Sequence, residues 1–143
     1  MRYFLMLFIL ADLFLFHFSA SEAADWIFYG ESGSGTYYYD KEGMRQLPGN
    51  IRQVWIENVL TSVGVKNLTK KSPAVKDADK IRINMLLTEV DCSAKQFRIL
   101  KGTSYDSSGH KITSFDYIKA GEAKWEEIVA GSSTEMLSKA LCK

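Results

Sequence analysis

Few residues of this chain are equipped for covalent chemistry. It has 143 residues, with two cysteines, Cys92 and Cys142, and two histidines, His17 and His110. Two isolated thiols without CxxC spacing, beside a single histidine outside the amino-terminal segment, do not make a zinc set. In an oxidising compartment the two cysteines are expected to pair, which also removes the nucleophile that a Cys–His enzyme needs. The bond would close a loop of 50 positions, worth about 4 kcal/mol in the chain-entropy account. A Ser-His-Asp relay can be drawn formally from His110, Asp106 and one of several serines, but a histidine beside a turn is more simply a solvated surface residue. The carboxylates Asp77/Asp79 and Glu126/Glu127 read as loop and strand-edge charges rather than an acid–base pair. Gly30-Glu31-Ser32-Gly33-Ser34-Gly35 lacks the Lys-Ser/Thr of a P-loop and the G-x-G-x-x-G spacing. It also misses G-x-S-x-G, since Ser34 stands where the last glycine is needed. A flexible hairpin loop accounts for it. The expectation is a protein that is not an enzyme, with no catalytic, cofactor or metal residues.

The elements that position these residues begin after an apparent export signal. Met1–Ala23 has a basic start at Arg2, an apolar run from Tyr3 to Phe18, and Ser21 and Ala23 flanking Glu22. That pattern predicts a secretory signal peptide over 1–23, cleaved after Ala23. Asp12 and His17 break the run, which argues against a permanent membrane span. No cysteine lies near the cleavage point to carry a lipid, so the expected product is exported, periplasmic or secreted. Residues 24–143 then suit one domain. Losing Arg2, Asp12 and Glu22 leaves 17 basic and 15 acidic residues. A balance so near neutral does not favour nucleic acid as a partner.

Only Pro48 and Pro73 interrupt the chain, and short β-branched and aromatic runs recur between turn residues, which predicts antiparallel sheet. Trp26–Tyr29 and Thr36–Asp40 flank the glycine run. After a turn at Leu47-Pro48-Gly49-Asn50, residues 51–63 read as a long strand with Val54, Ile56, Asn58 and Leu60 on one face. Residues 64–80 read as a basic connection carrying Lys66, Lys70, Lys71, Lys76 and Lys80, with a short helix starting at Ser72-Pro73. A two-residue turn at Ala94-Lys95 would set Cys92 opposite Phe97, Val90 opposite Ile99, and Asp91 opposite Arg98. Leu86, Thr88, Val90 and Cys92 would share the buried face. Asp106-Ser107-Ser108-Gly109 predicts a type I turn into a strand over 110–115, with another strand near 124–129. Ser132 to Glu135 makes a capping box ahead of a terminal helix whose apolar stripe is Met136, Leu137, Ala140 and Leu141. Cys142, at its end, is placed to reach Cys92.

Several of these segments together resemble the surface-adhesin protein E family. They are Trp26–Gly30, Tyr37–Asp40 and Val54-Trp55, then Glu89–Cys92 with Phe97–Leu100. Tyr105-Asp106 with Gly109, Trp125 with Ile128, and Cys142 complete the set. The resemblance covers nearly all of 24–143. It implies an α+β, mostly β fold: a curved antiparallel sheet of about six strands, with a C-terminal helix on the concave face tethered by a disulfide. It also implies a noncatalytic surface adhesin that binds host matrix and serum proteins, including laminin, vitronectin and plasminogen, and that can form a homodimer.

On this reading the partner is another protein. The candidate contacts are Lys95, Arg98 and Lys111 around the hairpins and Lys70 and Lys71 from the long connection; solubilising surface charge is the plainer account of each. The alternative is a periplasmic protein-interaction module, or a carrier that holds a small apolar ligand between sheet and terminal helix. Trp55, Trp125, Phe97 and the tyrosines would line such a pocket, or simply build the core.

Overall fold

The structure, a computed structural model, describes residues 24–143. The secretory-signal assignment falls on residues 1–23, outside the described residues.

The aromatic and β-branched runs form the expected strands, with altered ends. The first two, β1 (Trp26–Ser32) and β2 (Gly35–Asp40), are joined by only two residues, so the expected flexible loop is mostly strand. A bulge at Tyr29 shifts the pairing between Phe28 and Gly30. Ser32 Oγ, hydrogen-bonded to the Tyr37 hydroxyl at 2.5 Å, also accepts from Ser34 N, and these bonds tie the tight turn. A short β3 (Arg45–Leu47) leads through the expected turn, with Gly49 and Asn50 left-handed at φ 80° and 62°, into β4 (Ile51–Leu60).

Here the expected connection differs. The strand stops at Leu60, and the next residues form a helix, α1 (Ser62–Lys71). Thr61 caps it: its hydroxyl accepts from Gly64 N at 3.2 Å and donates to Gly33 O at 2.6 Å. The cap satisfies an end donor that a strand would not leave open. A Cβ on Gly64 would collide with the Ser34 carbonyl, so this glycine lets α1 lie close against the β1–β2 turn. No helix starts at Ser72; a 3₁₀ turn follows at Ala78–Lys80.

Next come β5 (Ile83–Asp91), β6 (Gln96–Tyr105) and β7 (Lys111–Asp116), then the one-turn helix α2 (Tyr117–Ala120), a two-residue β8 (Glu126–Glu127) and α3 (Ser133–Leu141). All pairings are antiparallel, in the order β1-β2-β4-β5-β6-β7, with β3 added to β4 and β8 to β6. The sheet is open, mostly β, with its last helix tethered by a disulfide.

The β5–β6 turn holds four residues, Cys92–Lys95, and this corrects the expected register. Asp91 pairs with Gln96, Val90 with Phe97, and Glu89 with Arg98. Asp91 is held in the turn, where Oδ1 accepts from Ser93 N at 2.9 Å and Ala94 N at 2.8 Å. The slip is by two positions, so side chains from Gln96 to Ile99 keep their faces, whereas a bulge at Leu100 reverses the faces of β6 beyond it. Val54, Ile56, Val90, Leu137 and Leu141 form the buried cluster, with Leu86, Phe97 and Ile128 packed against it. Cys92 therefore lies at the border of the α3-covered face, as expected. Its bond to Cys142 brings the two Cα atoms to 5.5 Å.

The terminal helix uses a variant of its predicted cap. Ser132 Oγ accepts from Glu135 N at 3.1 Å, but the Glu135 carboxylate reaches back to Gly131 N at 2.8 Å rather than to Ser132 N. Leu137, with no exposed surface, anchors α3 on the sheet.

Candidate functional site

The five basic candidates do not form one patch. The strand ends Ile51, Asp91 and Gln96 lie together at one end of the sheet, and Leu60, Ile83, Tyr105 and Lys111 lie at the other. Lys95 stands in the turn at the first end and Lys111 at the second, separated by the length of β6, roughly 30 Å. Lys70 and Lys71 close α1, which lies at the Lys111 end.

Arg98 is the most constrained of the five. Its Nε and a terminal guanidinium nitrogen both lie 2.7 Å from Glu89 Oε2, and Gln53 Nε2 donates to Oε1 at 2.8 Å. The Glu89 side chain is 5% exposed and that of Arg98 31%. The guanidinium also stacks on Trp125, 4.4 Å from the ring centre, just before β8 joins β6. Its charge is thus spent on a buried carboxylate, and its flat face on an indole. By contrast, no carboxylate lies within ion-pair distance of Lys70, Lys71, Lys95 or Lys111 among the described residues.

The sheet face opposite α3 carries a feature that the basic candidates overlook. Strand alternation puts Trp26, Phe28, Tyr38, Trp55 and Met85 on it. Phe28 is 54% exposed and meets Tyr38 edge-on at 5.9 Å between ring centres. Lys101 Nζ lies 5.5 Å from the Trp55 ring centre. The alternation of β1, β2 and β4 was the sequence signal for this stripe. On the α3 side, Tyr29 is stacked on Tyr37 at 5.8 Å, and burial together with the Tyr37 hydroxyl pushes its phenol well above the usual range.

Other candidates fall out differently. His110 Nδ1 is 3.4 Å from Asp106 Oδ2, with the histidine side chain 81% exposed. Asp106 is occupied by the turn: it accepts from His110 N and Ser108 N, and the first of these does most to lower its pKa. Among the described residues, no group of three His, Cys, Asp or Glu side chains is placed to hold a metal ion. No helix among them is long and apolar enough to cross a membrane. The aromatic set expected to line a sheet–helix pocket is divided: Phe97 packs in the core under α3, whereas Trp55 and Trp125 are on the opposite side. The contact between α3 and the sheet is filled by Leu137 and Leu141. An apolar cavity lies instead between α1 with its following segment and the far part of the α3-side face.

No curated protein matches the chain, and no solved structure does. The family comparison is positive: residues 26–143, from the first strand through the tethering cysteine, match surface-adhesin protein E, and the chain belongs to that family.

Proposed function

We propose that this is an exported, noncatalytic binding protein that recognises an extracellular matrix or serum protein. The aromatic stripe of Trp26, Phe28, Tyr38 and Trp55, with Phe28 exposed and the other three half-buried, is the observation that carries this reading, taken with the family membership. Aromatic side chains left on a surface with polar neighbours have the composition of an interface centre. Lys95 in the turn at one end and Lys111 at the other would act as rim contacts that steer an acidic partner. The partner surface would meet the sheet face away from α3, which leaves the disulfide and core undisturbed.

The test is binding of the oxidised 24–143 chain to immobilised laminin and vitronectin across a salt series. Phe28→Ser should weaken binding at least tenfold with no change in melting temperature. Lys95→Gly separates the rim from the fold: Lys95 sits at φ 55°, a conformation that costs a side chain about 1 kcal/mol. This variant should therefore melt higher while binding less tightly at low salt. Binding to neither protein, or binding indifferent to both substitutions, would overturn the reading.

A second reading, a carrier of a small apolar ligand, is favoured by the cavity beside α1, which has about 360 Å³ of accessible space. That is within the size range of small-molecule sites.

A further inference from the structure

The cavity beside α1 has two walls of different origin. Leu68 and Ser72, one turn apart on the same side of the α1 end, form one wall with Val75 and Ala78 from the following segment. The other is the sheet itself, where Leu86 and Phe115 meet above Gly102. A Cβ on Gly102 would come within 2.6 Å of Leu86 and 2.8 Å of Phe115, so this glycine creates the depression in which the two side chains join. Asn84 and Ser104, between them, are already partnered: Ser104 Oγ donates to Asn84 Oδ1 at 2.7 Å. An apolar guest laid over that pair does not strip it of its hydrogen bond.

The rim has one dominant sign. Residues 62–82 carry Lys66, Lys70, Lys71, Lys76, Lys80 and Arg82 against Asp77 and Asp79. Only Lys80 is neutralised within the segment, by Asp77 at 2.8 Å. Lys71 adjoins the lining residue Ser72, and Lys76 adjoins Val75. The cavity is therefore apolar within and cationic at its mouth.

We propose that this cavity takes a free single-chain amphiphile with an anionic head, a medium-chain carboxylate, its tail between α1 and the sheet and its head beside Lys71 and Lys76. Charge complementarity selects the head and the apolar walls select the tail. The inference rests on the carrier reading and is independent of the protein-binding face on the other side of the sheet.

The experiment is titration calorimetry of the oxidised 24–143 chain with decanoate, decanol and decyltrimethylammonium, alongside amide shift mapping of the unsubstituted protein. Decanoate should bind one to one, about fivefold or more tighter than decanol, with an advantage that shrinks as salt rises. The shifts should centre on Leu68, Ser104 and Phe115 rather than on the Cys92 end. Lys71→Gln/Lys76→Gln should bring decanoate to the decanol level, and Val75→Trp should abolish binding by filling the space. Equal binding of decanoate and decanol would overturn the anionic class while leaving a carrier of neutral apolar ligands. Binding of neither, or shifts centred elsewhere, would overturn both. Because the mapping uses the unsubstituted chain, a folding failure of either variant leaves the test decisive.

Discussion

Glu89 is a charge placed where water cannot reach it, and its neighbours make that tolerable. Two bonds from Arg98 and one from Gln53 use both carboxylate oxygens, while Trp125 covers the guanidinium. Removing the cation from such a pair costs more than the pair contributes, because a buried carboxylate is left behind. Arg98→Ala should lower unfolding free energy by about 3 kcal/mol in a urea titration. Arg98→Lys should recover only part of this, since an ammonium supplies neither the fork nor the flat face. A loss below about 1 kcal/mol would mean that the pair behaves as an exposed one. The result also bears on function: any binding defect of an Arg98 variant must be read against its stability, whereas Lys70, Lys71, Lys95 and Lys111 have no ion pair to lose.

The elements differ in how openly their sequence declares them. The terminal helix was legible because Ser132, Glu135 and the Met136–Leu141 stripe are local signals that agree with one another. α1 was not, because Val63, Gly64 and Val65 have the look of a strand end and turn. Its stabilising contacts, Thr61 on Gly33 and Gly64 against Ser34, join residues nearly thirty positions apart. The β5–β6 hairpin lies between these cases: pattern identified the buried face of Cys92, Val90 and Leu86, but two-residue and four-residue turns preserve that face equally well. Asp91 settles the choice by capping the turn, leaving Glu89 for Arg98. The basic candidates were legible as exposed charges, but their division between two ends depends on strand order. The stripe opposite α3 depends on which face the helix leaves bare. At α3 itself, the Gly131 amide and then Lys139 lower the Glu135 pKa from its ordinary 4.5. A depressed carboxyl stabilises the fold above its unfolded value and loses that contribution as pH falls through the folded one. Melting temperature should therefore fall on acidification below about 4.5, and Glu135→Gln should flatten that part of the profile. Ser132→Ala, which removes the other half of the cap, should cost about 1 kcal/mol at neutral pH.

At the scale of the molecule, a six-strand path with two open edges is closed over by one short helix, and the helix is held by one covalent bond. Replacing both cysteines by alanine should lower stability by about 4 kcal/mol, a large part of the roughly 5–15 kcal/mol that a domain possesses. The check is the denaturant midpoint of the double variant against the oxidised protein; an unchanged midpoint would mean that α3 packing alone suffices. The bond also decides where a mechanical load goes. A pull on the carboxyl terminus passes through Cys142 to Cys92 and arrives at the end of β5, which is hydrogen-bonded on both sides by β4 and β6. The 50-position loop between the cysteines cannot pay out, which withholds roughly 170 Å of extension. Tension thus bypasses the terminal helix and falls on a central strand, so the oxidised domain stretches less far before it yields than its length implies.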